Sequence, residues 1–173
     1  DDADLDAAVE GAMVAKYRNA GQTCVCAHRL YIHEKIYDEF AEKYTAKVKA
    51  LRVGDGAKGG IDIGPLINED AIEKVHELVS DAKEKGGEVV LGGHTHELGR
   101  SFFEPTVVKN ATKDMKFARE EIFGPVAPLF KFSSTEEVIE LANDTRFGLA
   151  SYFYSRDLSR VWRVAEALEY GMV

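Results

Sequence analysis

Tyr17-Arg18-Asn19-Ala20-Gly21-Gln22-Thr23-Cys24-Val25-Cys26-Ala27-His28-Arg29-Leu30 is the stretch on which the fold turns. It carries the only two cysteines of the chain, spaced Cys-x-Cys, in polar surroundings and with Gly21 upstream. An apolar helical pattern precedes it and a strand-like run follows it. A helix, a polar loop and a strand in that order would present a nucleophile at the edge of an α/β core. Spacing alone leaves two readings open. Small sulfur side chains commonly fill a core, whereas a reactive thiol sits partly exposed in an activating environment.

Working outward, Asp2 or Asp4 caps a helix whose buried stripe is Leu5, Val9, Ala12 and Met13, and Gly21 stops it. Arg29 to Ile32 reads as a short strand. Ile36, Phe40, Tyr44, Val48 and Leu51 recur at three and four residues and predict a helix from about Glu34 to Leu51. A third helix spans roughly Glu69 to Lys85, with Ile72, Val75, Val79 and Ala82 inward and Gly86-Gly87 ending it. Strands follow at Glu88 to Leu91, in an extended segment from Phe102 to Val108, from Pro125 to Phe132, and at Gly148 to Tyr154. Ser134-x-x-Glu137 has the form of a capping box ahead of a helix. Asp157 caps a last helix through Leu168. Strands alternating with helices predict an α/β fold with a largely parallel sheet.

The 173 residues suffice for one domain with a sizeable core. A net charge of −8 opposes binding to nucleic acid or to anionic membranes. No apolar run is long enough to span a bilayer, and no secretory leader pattern opens the chain. Two cysteines this close staple nothing, so a reducing, cytoplasmic compartment is expected. The acidic helical start and the strand-like close at Tyr170-Gly171-Met172-Val173 are those expected of a piece of a longer protein.

Gly54-x-Gly56-x-x-Gly59 matches the dinucleotide fingerprint by letter. That fingerprint needs a strand before it and a helix N-terminus after it. Here a helix precedes and an extended Ile-Gly-Pro segment follows, so a surface turn is the better reading. His94-x-His96 lacks the further ligands a zinc site uses, and no metal site is expected.

Two motifs taken together resemble the aldehyde dehydrogenase superfamily: Tyr17-Arg18-Asn19-x-Gly21-Gln22-Thr23-Cys24, and Glu120-Glu121-Ile122-Phe123-Gly124-Pro125 about a hundred residues later. The full run through Val25-Cys26-Ala27 resembles the succinate-semialdehyde branch. Gly64-Pro65-Leu66-Ile67, Phe103-Glu104-Pro105-Thr106, Ala142-Asn143-Asp144-Thr145-x-Phe147-Gly148-Leu149-Ala150 and Glu169-Tyr170-Gly171 extend the likeness over the whole chain. It implies a three-layer catalytic domain, with a mostly parallel sheet and helices on both faces, spanning residues 1–173. The family's cofactor-binding and oligomerisation segments, and its general-base glutamate, would lie outside this stretch.

By the same resemblance Cys24 matches the nucleophile. It would attack an aldehyde carbon to give a thiohemiacetal, pass hydride to a nicotinamide ring and leave a thioester for hydrolysis. Arg18 matches the residue that holds a distal substrate carboxylate, a task suited to a bidentate guanidinium. Glu121 matches the glutamate on the nicotinamide ribose hydroxyls, and Phe123 the aromatic beside the nicotinamide. Cys26 is either packing or a redox partner of Cys24. The implied partners are a small semialdehyde, with succinate or glutarate semialdehyde as neighbouring choices, and NADP or NAD. A homo-oligomeric parent is implied as well, a dimer or tetramer. A non-catalytic binding or assembly module is the alternative for the piece alone.

Overall fold

The computed structural model describes all residues, Asp1–Val173. Helix α1 (Leu5–Tyr17) starts where Asp4 accepts a hydrogen bond from the Ala7 N–H at 3.1 Å. That bond satisfies one of the orphan donors of the first turn. The cysteine loop leads into β1 (Leu30–His33), then into α2 (Tyr37–Lys49). The helix expected from Glu34 begins later, because Glu34–Ile36 form a tighter 3₁₀ turn capped by the His33 ring. Helix α3 (Glu69–Glu84) is capped by Asn68, and α4 (Thr135–Asn143) and α5 (Leu158–Ala167) by Ser134 and Asp157. The capping box at Ser134 is only half formed. Ser134 accepts from the Glu137 N–H, but Glu137 reaches back to Ser133.

Strands β2 (Glu88–Leu91), β3 (Thr106–Ala111) and β4 (Val126–Phe132) complete one sheet of order β1-β4-β3-β2. The β1–β4 and β4–β3 pairs are parallel, and β2 runs antiparallel to β3. Successive strand residues face opposite sides of a sheet. Thr106, Val107 and Val108 are each fully buried, so the sheet is a middle layer covered on both sides. Near-continuous apolar strands are what such double burial requires.

One expected strand is absent. Gly148 to Tyr154 joins no ladder; its only strand-type pairing is one parallel bridge, Ala150 to Met172, and the Tyr152 hydroxyl donates to the Val25 carbonyl of the cysteine loop at 3.0 Å. Residues 55–60 of the glycine-rich segment form an exposed turn in which Asp55 accepts from the Ala57 N–H at 3.0 Å.

Candidate active site

Parallel pairing of β1 with β4 sets the chain entering each strand side by side. The cysteine loop enters β1, and the Glu121–Gly124 loop enters β4. Their backbones touch at Gly21, whose φ of +76° is costly for any side chain. A Cβ there would lie 2.1 Å from the Gly124 carbonyl oxygen, so only glycine permits this approach. Asn19, Ala20 and Phe123 also hold positive φ without being glycine. Such strain persists only where the surroundings impose it, and it clusters at functional sites.

The loop is braced from several directions. The Ala27 N–H donates to the Ala15 carbonyl at 2.8 Å, tying it to α1. The Tyr17 hydroxyl donates to the Thr106 carbonyl of β3 at 2.8 Å. Gln22 donates to the Pro65 carbonyl at 3.3 Å and accepts from the Ile67 N–H at 2.9 Å. Gly64-Pro65-Leu66-Ile67 is therefore the wall against which the loop is fixed. Thr23 to Cys26 forms a turn closed by the Cys26 N–H on the Thr23 carbonyl at 2.9 Å. At its tip the N–H groups of Thr23, Cys24 and Val25 have no acceptor within the chain.

A cavity of about 870 Å³ gathers Cys24, Cys26, Glu121 and Phe123 on one lining. Cys24 is exposed and Cys26 half-buried, and both are free thiols. Cys26 directs its Sγ to the Arg18 carbonyl at 3.6 Å. Arg18 is exposed and lies outside this lining, and its guanidinium enters no ion pair. The structure thus brings four of the five sequence candidates together and leaves Arg18 beside them.

Two further groups shape the electrostatics. Lys16 is 1 % exposed, and burial pushes its ammonium down to about 8, against opposing pulls from Cys26 and Glu121. His28 is pushed down to about 4, by burial first and then by the Lys16 charge. Its ring nitrogens are both engaged, one at the Phe117 carbonyl and one at the Ile122 N–H. A third residue, Arg29, donates to the carbonyls of Leu141 and Ala142, both at 2.8 Å, tying the loop's exit to the end of α4. The sequence reading missed all three. Lys16 was findable, since it sits seven residues after Val9 on the buried stripe of α1. The partners of His28 and Arg29 are remote in sequence and leave no local trace.

The strained thiol loop at the mouth of parallel strands belongs to a known class: the chain is a member of the aldehyde dehydrogenase family, whose model matches residues 1–173. It is 62 % identical to the 3-sulfolactaldehyde dehydrogenase of Pseudomonas putida and 59 % identical to the NADP(+) succinate-semialdehyde dehydrogenase of Escherichia coli (strain K12). Each match covers all of this chain and 36 % of the relative. The crystal structure of succinate-semialdehyde dehydrogenase from Burkholderia pseudomallei superposes with a TM-score of 0.99 at 61 % identity, again over all of this chain and 36 % of that one. The chain therefore spans about a third of the length of these relatives.

Proposed function

We propose that residues 1–173 are the nucleophile-bearing domain of a dehydrogenase that oxidises a small aldehyde carrying a remote anionic group, with succinate semialdehyde the leading substrate. The observation that carries this is the shared cavity of Cys24 with Glu121 and Phe123, held by the Gly21–Gly124 contact. Cys24 would add through its thiolate to the carbonyl carbon. The oxygen that becomes negative then faces the unpaired N–H groups at the tip of the loop, Cys24 N–H first. Preorganised donors of this kind stabilise a developing oxyanion without reorganising. The acyl group on Sγ would leave by hydrolysis.

A nicotinamide dinucleotide, NADP in the leading reading, would supply the hydride acceptor. The chain fits that group. The Glu121 carboxylate is partnered by no side chain or backbone group, and a carboxylate accepts from two vicinal hydroxyls at once. Phe123 is 40 % exposed beside it, offering a ring face. Arg18 would bind the remote anion. A carboxylate or a sulfonate suits its fork equally, which is why the succinate, glutarate and sulfolactaldehyde activities are neighbouring readings. A second reading, a non-catalytic module, has no observation in its favour beyond the length of the chain.

The test is an aldehyde and cofactor panel on the complete polypeptide. Cys24→Ala should lose activity by about a thousandfold or more. Arg18→Ala should raise KM for semialdehydes bearing an anion and spare acetaldehyde. Equal losses for both substrates would remove Arg18 from the role, and an active Cys24→Ala would end the reading. Cys26 is assigned as a redox partner: peroxide would take two electrons from the two thiols to form a Cys24–Cys26 disulfide and water. In the same assay this inactivation should be reversed by dithiothreitol in the wild type, and Cys26→Ala should remove the reversible part.

A further inference from the structure

His28 stands between the two loops of the site. One ring nitrogen, Nε2, lies 2.5 Å from the Phe117 carbonyl oxygen. The other, Nδ1, lies 3.3 Å from the Ile122 backbone nitrogen. A carbonyl only accepts and an N–H only donates, so the partners themselves assign the tautomer: Nε2 carries the proton and Nδ1 offers its lone pair. A single neutral imidazole therefore spans the segment from Phe117 to Ile122. Phe117 belongs to the 3₁₀ turn Lys116–Ala118, and Ile122 sits between Glu121 and Phe123. The Ile122 side chain is 1 % exposed, whereas Glu121 and Phe123 turn toward the cavity.

We propose that His28 is a positioning residue that holds the Glu121–Phe123 loop in its cofactor-binding shape. The inference rests on the dehydrogenase reading above. Three features support it. The bond to Ile122 acts on the peptide between the two residues assigned to the dinucleotide. Phe123, next in the chain, has a φ of +48°, a conformation that a β4 entry would not hold unaided. Burial first, then the charges of Lys16 on α1, Arg29 next in the chain and Lys74 on α3, disfavour the imidazolium that would break the Nδ1 contact, and together they outweigh the opposite pull of the Phe117 carbonyl. The Phe147 ring, 6.2 Å away between centroids, closes another side.

The experiment uses the complete polypeptide and reads dinucleotide binding directly, by titration, alongside KM and kcat. His28→Phe keeps a ring and loses both hydrogen bonds. It should weaken NADP or NAD binding about tenfold, the effect of losing the Ile122 bond, which is the one that acts on the cofactor loop. The aldehyde KM and the rate of Cys24 alkylation should not change. His28→Asn can still accept from the Ile122 N–H and should recover most of the loss. His28→Gln, which reaches toward Phe117 instead, should recover less. If His28→Phe does not fold, the Asn and Gln pair decides the question by its order. Wild-type dinucleotide affinity in all variants would overturn the positioning role alone, as would equal losses in binding and alkylation with no rescue by Asn. A wild-type protein that binds neither dinucleotide would overturn the dehydrogenase reading together with it.

Discussion

A lysine at 1 % exposure is rare, because a buried cation without a close anion is costly. Lys16 occupies the position on α1 where the stripe begun by Leu5 and Val9 would put an apolar residue. Cys26 and Glu121 pull the other way and only partly offset burial, and the ammonium is left at about 8. The direction of the stability effect follows. The unfolded chain keeps an ordinary lysine, so between about 8 and 10.5 it binds more protons than the folded chain. The penalty is thus fully present below pH 8 and fades as pH rises to 10.5. Lys16→Met should stabilise the complete polypeptide at pH 7, by up to about 3 kcal/mol. The gain should shrink as pH passes through that window, as read from urea midpoints of both proteins. A variant no more stable than the wild type at pH 7 would show that the ammonium is better compensated than its surroundings indicate. A cost of this kind in the wall of the thiol cavity accords with buried titratable groups gathering at functional sites.

At the scale of elements, the cysteine loop and the β4 entry act as one unit. Gly21 is the joint: its left-handed backbone and the contact with the Gly124 carbonyl allow no Cβ. Gly21→Ala should cost at least about 1–2 kcal/mol from backbone conformation alone. It should also move Cys24 away from Glu121, so dinucleotide binding and turnover fall while alkylation of the exposed thiol survives. Undiminished kcat/KM in that variant would mean that the two loops need no direct contact. The elements also show what a sequence discloses. Helices α1 and α5 were legible because caps at Asp4 and Asp157 coincide with a regular apolar stripe, and α3 because its stripe ends at Gly86-Gly87. Gly148 to Tyr154 misled because its run of aromatics favours a strand, yet a strand also needs a ladder partner, and Met172 alone provides one bridge. Cys24, Glu121 and Phe123 were legible through their paired motifs. Lys16 was legible only by its place on the stripe of α1, against its charge, and the His28 clamp was hidden by partners some ninety residues away.

At the scale of the whole molecule, one core of 30 buried residues surrounds a sheet covered on both faces, so the 173 residues have the means to hold the thiol loop in shape. Finishing a reaction takes a base as well. Of the two histidines on the cavity lining, His28 and His33, His28 is four residues from Cys24 in the chain, and both its ring nitrogens are occupied while burial keeps it near 4. It therefore cannot act as base for the thiol or for water, which also sets aside a cysteine-hydrolase arrangement. Lys16 is protonated at neutral pH, and Glu121 is assigned to the cofactor. Meanwhile Phe147, Leu149, Tyr152, Tyr154, Leu158 and Trp162 are 41–70 % exposed along residues 147–162. Residues 1–173 prepared alone should accordingly give a folded circular-dichroism spectrum and one fast equivalent of iodoacetamide at Cys24. They should show no oxidation of succinate semialdehyde with NADP or NAD at any pH from 6 to 9. The complete polypeptide, assayed in parallel, should turn over. Turnover by the isolated chain would require a base within these residues, and the assignment of His28 and Glu121 to the cofactor loop would then have to be given up.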